Sequence, residues 1–326
     1  MQDLVNEIKK QDPTFEYNDE DVAMRVFEWY HGKNPHGFDM DFIENELNTK
    51  GYCVIENVLN SDEINTAKQQ LYEWQKTIPN HDKFHNDMDP HGIYKFHNAG
   101  HTQHAWELRL NEKVQSIYEY MWKTKELVVS FDGACYIPKS CRKRDNIWTH
   151  TDQAPSNPHR CYQGFVALTS NEERTLVVYE GSHHYHSEYF QEHGCKDEKS
   201  NWQRINYDVL ESMAESKRIL KVPAGSLVLW DSRTFHQNQY GKPDSEERFV
   251  QYICYLPKND FRNSTCIQNK RKKYFDEMRT TSHWPYPIKV NGLQPQTYGD
   301  KSRVIDYSAL KRPKLDHLYD KIARVI

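Results

Sequence analysis

Three residues of this chain have the types and spacing of a metal site. His150 and Asp152 are separated only by Thr151, and His236 follows the apolar run Leu227, Val228, Leu229, Trp230. Two neutral imidazoles and one carboxylate on one face of a metal leave positions open for a cosubstrate and O2, the arrangement of non-heme Fe(II) oxygenases. In a strand, residues i and i+2 share a face, so His150 and Asp152 can reach one ion while Thr151 points away. His236 comes from far along the chain, and a returning strand must bring it back. Taken alone, a His-x-Asp triplet is a common accident among 17 histidines. Its surroundings give it weight.

Strand-like stretches frame each ligand. Asn146, Ile147 and Trp148 precede the triplet, and Arg218 to Val222, the turn Pro223 to Ser226, and Leu227 to Trp230 read as strand, tight turn, strand. Arg248, twelve positions after His236, opens a further strand to Leu256 on which it shares a face with Val250, Tyr252 and Cys254. A guanidinium inside a barrel needs an anion, and its planar fork matches a carboxylate in two-pronged fashion. The competing arrangement is a surface pairing with Asp244, Glu246 or Glu247.

With these residues in view, the chain resembles the phytanoyl-CoA dioxygenase-like branch of the Fe(II)/2-oxoglutarate-dependent oxygenases. The likeness runs through Glu126 to Tyr136, His150 to Pro155, Tyr162 to Phe165, Val177 to His183 and Leu229 to His236. Two further stretches, His91 to Lys95 with Trp106 to Arg109, and Arg279 to Pro285, are similar to those of one subgroup. The resemblance implies a mainly β fold: a double-stranded β-helix (jelly roll, cupin-like) core with N- and C-terminal helical additions. It implies His150, Asp152 and His236 as ligands of Fe(II), and Arg248 as the anchor of the distal carboxylate of 2-oxoglutarate. Asn238 stands where a family serine often assists that carboxylate. The implied reaction consumes O2 and 2-oxoglutarate, releases succinate and CO2, and hydroxylates an unactivated C–H. Halogenating relatives replace the metal carboxylate with a small residue, so Asp152 argues for hydroxylation. Tyr136 and Gln163 are candidate partners inside the barrel, Arg233 with Asp231 a bracing ion pair before His236, and Lys95, Trp106 and Arg109 candidate substrate contacts.

Organisation follows from periodicity. One domain is expected over 1–326, with a mainly helical part and active-site loop at 1–125, the β core at 126–257 and an extension at 258–326. Val22, Val26, Phe27 and Tyr30 share one face of a helix, Gly51 to Glu56 is a short strand, and Ser61 to Trp74 is a helix capped by Ser61. The six histidines from His81 to His104 match no compact ligand spacing and lie among Asn, Asp and Gly, which predicts a surface loop. A rim loop is likewise expected at Ser182 to His186, with His183 structural.

Hydrophobic residues are 37% of the chain, and 21 Tyr, 13 Phe and 8 Trp supply core bulk. A formal charge of −4 gives no global field for nucleic acid or anionic membrane, and the clusters Arg142 to Arg144 and Lys270 to Lys273 read as solvated faces. Seven cysteines without a Cys-x-x-Cys pair read as free thiols of a reducing compartment. The first ten residues are too acidic for a signal peptide, and no apolar stretch reaches the ~20 residues of a membrane span. An intracellular, cytoplasmic enzyme with a small-molecule substrate is expected. The alternatives are a hydroxylase or demethylase of protein or nucleic acid, and a non-catalytic metal-binding β-helix module. Oligomeric state leaves no trace in the sequence.

Overall fold

The computed structural model describes residues 34–290 and 292–326. The helix expected over 20–30 lies outside them. Among the described residues, all strand pairings within the two sheets are antiparallel. The larger sheet runs in the order β1 (Tyr52–Ile55), β9 (Leu227–Asp231), β5 (Tyr162–Ala167), β11 (Arg248–Pro257), β2 (Leu127–Val129), with β3 (Ala134–Ile137) also pairing β11. The smaller runs β7 (Gln203–Arg204), β4 (His150–Thr151), β10 (His236–Asn238), β6 (Leu176–Tyr179), β8 (Lys217–Ile219). This is the expected jelly roll.

Side-chain alternation builds its two apolar layers. In β9, Val228 and Trp230 enter the cluster between the sheets, where they meet Leu176 and Val178 of β6, whereas Leu227 and Leu229 face outward. The outward layer is covered by helices 40–49, 61–75 and 112–122 through Ile43, Leu47, Leu71, Val114 and Ile117. Helix Ser61–Gln75 starts one residue earlier than expected. Its cap is Asn60, whose side chain accepts from the Asp62 and Glu63 amides while the Glu63 carboxylate accepts from the Asn60 amide. Ser61 is therefore the first helical residue.

The stretch from His81 to His104 is not a surface loop. It forms helix His81–Met88, two short 3-10 turns and the start of helix Gln103–Arg109, and His85, His97, His101 and His104 are buried. Aromatic packing and backbone carbonyls make that possible. The His85 ring stacks on Tyr94 at 4.4 Å and contacts the Tyr136 carbonyl at 2.8 Å, and His101 contacts the Arg279 carbonyl at 3.0 Å. Burial pushes His101 and His104 down to about 3, which keeps both rings neutral. Residues 182–186 likewise begin a helix, Ser182–His193, and His183 contacts the Asn48 carbonyl at 3.0 Å. All seven cysteines are free. Among the described residues no helix is long and apolar enough to cross a membrane.

Candidate metal centre and active site

Register assembles the centre. β4 and β10 are neighbours in the smaller sheet, with His150 directly opposite His236, so both imidazoles leave the same face. Asp152 follows β4 immediately, and its amide donates to the Ser232 carbonyl at 2.9 Å. Thr151 points away, its hydroxyl donating to that same carbonyl at 2.9 Å. One ligand atom from each of His150, Asp152 and His236 lies within 4.8 Å of the others.

Surrounding groups fix the donor atoms. Nδ1 of His236 lies 2.8 Å from the Thr234 carbonyl and Nδ1 of His150 lies 3.2 Å from that of Trp148. An N–H donated there leaves each Nε2 with its lone pair toward the centre, as a metal requires. The two Nε2 atoms stand 3.3 and 3.6 Å from Asp152 Oδ2. Rings of Trp148 and Trp202 stack on His150 at 4.8 and 5.5 Å. Burial lowers the His150 pKa, helped by His236. Burial alone would raise the Asp152 carboxyl, but His283, His150 and His236 outweigh it and hold it well below the usual range. Two further donors orient Asp152: the Gln163 amide reaches Oδ2 at 3.1 Å, and the Trp284 indole N–H reaches its main-chain carbonyl at 3.1 Å. A donor set of two imidazoles and one carboxylate suits Fe(II).

The centre opens into a cavity of about 320 Å³. Gln163, Asn238, Tyr252, Lys95 and Asp132 line it together with Trp148, Trp202, Trp230 and Trp284. Behind Asn238 and Tyr252 lies Arg248, fully buried. Its fork donates to the Asn238 side-chain oxygen and the Arg174 carbonyl, both at 3.1 Å, and its Nε has no partner. Asp244, Glu246 and Glu247 are not its counter-ions: Glu246 instead accepts from the amides of residues 172–174. A buried guanidinium with a spare N–H and no acid beside it is a fit for an incoming carboxylate.

Three candidate residues sit elsewhere. Tyr136 pairs with Phe249, one position off the Arg248 register, so its ring leaves the opposite face of the sheet and its phenol donates to Glu247 at 3.0 Å. Trp106 is fully buried among Phe131 and Phe275. Arg109 donates to the carbonyls of Gly100 and Asp132 at 2.7 and 2.6 Å, bracing the cavity wall from behind. Of the candidate substrate contacts Lys95, Trp106 and Arg109, only Lys95 lines the cavity. The Arg233–Asp231 pair is two-pronged, at 2.8 and 2.7 Å. Asp132, His283 and Trp284 carry no motif. Nothing in their local sequence separates them from ordinary polar and aromatic residues, although Arg279 to Pro285 is one of the stretches that carries the family likeness.

A jelly roll that gathers two imidazoles and a carboxylate at the head of a cavity defines a class, the non-heme iron oxygenases. The sequence profile of the phytanoyl-CoA dioxygenase (PhyH) family matches residues 47–239, and the chain belongs to that family. It is accordingly an Fe(II)/2-oxoglutarate-dependent oxygenase. The chain is 25% identical over 267 residues to the Ava biosynthesis cluster protein O of Aspergillus versicolor, covering 74% of this chain and 85% of that protein. Its fold is similar to a hypothetical protein, JW0805, of Escherichia coli, with a TM-score of 0.60 and 13% identity across 93% of this chain and 89% of the other. It is also similar to GlcNAc Inducible Gene 2 (GIG2) of Candida albicans, with a TM-score of 0.52 and 16% identity over 71% of this chain. That match spans 65% of GIG2, just under two thirds of its length.

Proposed function

We propose that this enzyme hydroxylates an unactivated C–H of a small-molecule substrate, with 2-oxoglutarate converted to succinate and CO2. The observation that carries the proposal is the convergence of three ligand atoms within 4.8 Å at the head of a cavity of about 320 Å³. That volume is the size of a small ligand's pocket. A relative bearing the name of a biosynthesis cluster supports the same choice.

His150, Asp152 and His236 would hold Fe(II), and when bound the metal with its cosubstrate supplies the oxidation of the C–H bond. The chain's own residues do the rest. Arg248 and Asn238 receive the distal carboxylate of 2-oxoglutarate, with Tyr252 beside them. Lys95 adds a positive charge within the same cavity, available to substrate or cosubstrate. Gln163 and Trp284 hold Asp152 in place. The tryptophans keep water from the reacting carbon.

The test is succinate release by the purified protein with Fe(II), 2-oxoglutarate and air, with and without fractions of a metabolite extract. A fraction that stimulates succinate formation and gains one oxygen atom in a component is the expected result. No succinate under any fraction, from protein that binds iron, would refute the proposed reaction.

A further inference from the structure

Residues 281–289 lie beyond the family-matched 47–239, yet Ser282, His283, Trp284, Pro287 and Lys289 form a wall of the cavity. Lys95 lines the same cavity from a segment inside the matched range. The stretch 131–134 holds both segments. The Phe131 carbonyl accepts from the Thr281 amide at 2.9 Å and the Phe131 amide donates to the Thr281 hydroxyl at 3.0 Å, while the Ala134 carbonyl accepts from the Tyr94 amide at 2.8 Å. Thr281 also bridges Val290, and the Ser282 amide donates to the Lys289 carbonyl at 2.8 Å, so Lys289 sits on the returning arm of a hairpin. Just past the two lysines the segments meet again: the Phe96 ring lies 3.7 Å from where a Cβ on Gly292 would stand. Lys95 and Lys289 thus stand on adjoining, firmly held segments of the lining.

Their charge is unmatched. Lys95 is half-buried and Lys289 exposed, and among the described residues neither side chain forms an ion pair or a hydrogen bond. The iron centre does not claim them. Asp152 and the two carboxylates of 2-oxoglutarate offset the doubly charged metal and Arg248, so the loaded centre is neutral by itself. Asp132, the remaining acid of the lining, is already served: its carboxyl accepts from the Ser130 hydroxyl at 3.0 Å, and the Arg109 guanidinium lies behind it, 2.6 Å from its main-chain carbonyl. Burial pushes that carboxyl up to about 7 against the pull of Arg109, so near neutral pH it carries only part of a charge. With iron and cosubstrate in place the cavity therefore keeps a positive surplus, and a cleft with low-dielectric walls focuses such a field on an entering anion. The rings of Trp148, Trp202 and Trp284 frame the rest of the lining, which favours a flat apolar body.

We propose that Lys95 and Lys289 receive the anionic head group of the substrate, an organic acid with a flat apolar body. This names the substrate class for the oxygenase proposed above and rests on that reading, but it is tested by binding alone. A carboxylate and a phosphate share the chemistry that two ammonium groups recognise, and the probes separate them: 2-naphthoate, 2-naphthyl phosphate and neutral 2-naphthamide, titrated by calorimetry under nitrogen into protein holding Fe(II) and saturating 2-oxoglutarate. At least one of the two anions should bind the wild type about tenfold tighter than the amide, the factor one charged hydrogen bond gives, and the tighter of them names the head group. A Lys95→Met, Lys289→Met double variant keeps the apolar stems and should lose that preference, while it binds 2-naphthamide and 2-oxoglutarate as the wild type does. Lys95→Arg with Lys289→Arg keeps both charges and should keep most of the preference. A wild type that binds neither anion tighter than the amide, or a preference that survives in the methionine variant, overturns the assignment. Loss of 2-oxoglutarate affinity in that variant also overturns it, and gives the lysines to the cosubstrate. Failure of the oxygenase reading would show separately, as absent succinate in an iron-loaded protein whose anion preference is intact.

Discussion

Two histidine-rich regions of this protein have opposite fates. Between His81 and His104 six imidazoles lie within 24 positions, and among the described residues none belongs to a cluster that could hold a metal. Between β4 and β10 only two imidazoles and one carboxylate meet, and they form the metal site. In the first group His81, His85 and His101 contact the Tyr94 hydroxyl, Asp89 and two backbone carbonyls, and the unpaired Nδ1 atoms of His97 and His104 share no metal cluster. The second turns one nitrogen of each ring to a carbonyl and leaves the other pointing at a shared place, with Asp152 supplying the negative charge. Convergence of free lone pairs makes a ligand set; abundance of histidine does not.

That contrast is sharpest in metal content. Asp152→Ala or His236→Ala should lose stoichiometric Fe(II) and with it at least about a thousandfold of turnover, since these are ligands to the centre; metal analysis of the purified variants and succinate assays check both. A His104→Gln variant that lost the metal equally would erase the distinction between the regions.

Arg248→Ala comes next. It should raise the Kd for 2-oxoglutarate about a hundredfold, the equivalent of a two-pronged charged bond of roughly 2.7 kcal/mol, and leave one iron per chain, as anaerobic titration would show. An unaltered Kd would strip Arg248 of its role. Gln163→Leu should weaken metal affinity about tenfold, the scale of a lost partner to a ligand, measured by competition with a chelator.

A last effect concerns acid stability of the other region and leaves the metal untouched. His101 and His104 are pushed down to about 3 by burial, against about 6.5 in an unfolded chain. Because the unfolded state binds their protons first, the stability they contribute is present above pH ~6.5 and drains away as pH falls toward 3. Urea midpoints at pH 7 and 4.5 should therefore diverge less in a His101→Gln, His104→Gln double variant than in the wild type, and its metal content should match the wild type. An equal divergence would mean that other groups carry the acid sensitivity.

Sequence made the strand framework legible because the short, mainly apolar runs Leu227 to Trp230 and Arg248 to Leu256 are those of strands buried on both faces. The two-residue period of a strand brings Arg248 to Tyr252 and Asn238, and Gln163 to Asp152. It also misled at Tyr136: one position of register separates a cavity residue from one that faces a helix-covered layer, and register is a property of pairing that no single strand displays. The burial of His85 to His104 was invisible because Asn, Asp and Gly mark turns whether those turns lie outside or are packed beneath helices. His283 and Trp284 escaped notice for a different reason. Their task depends on Phe131 and Asp152, about 130 to 150 positions away along the chain, and contacts of that range leave no local pattern.

The direct pairing of His150 with His236 carries a consequence for how this scaffold tolerates lengthening. An additional residue between Asp231 and His236 would turn His236 to the opposite side of β10 and dismantle the ligand set at a stroke. The exposed stretch Arg142 to Arg144, which bears no ladder bonds, can absorb the same insertion at little expense. Diversification by indels is therefore steered toward such exposed stretches and away from the short turn before β10, so that the frame can lengthen while its chemistry is preserved.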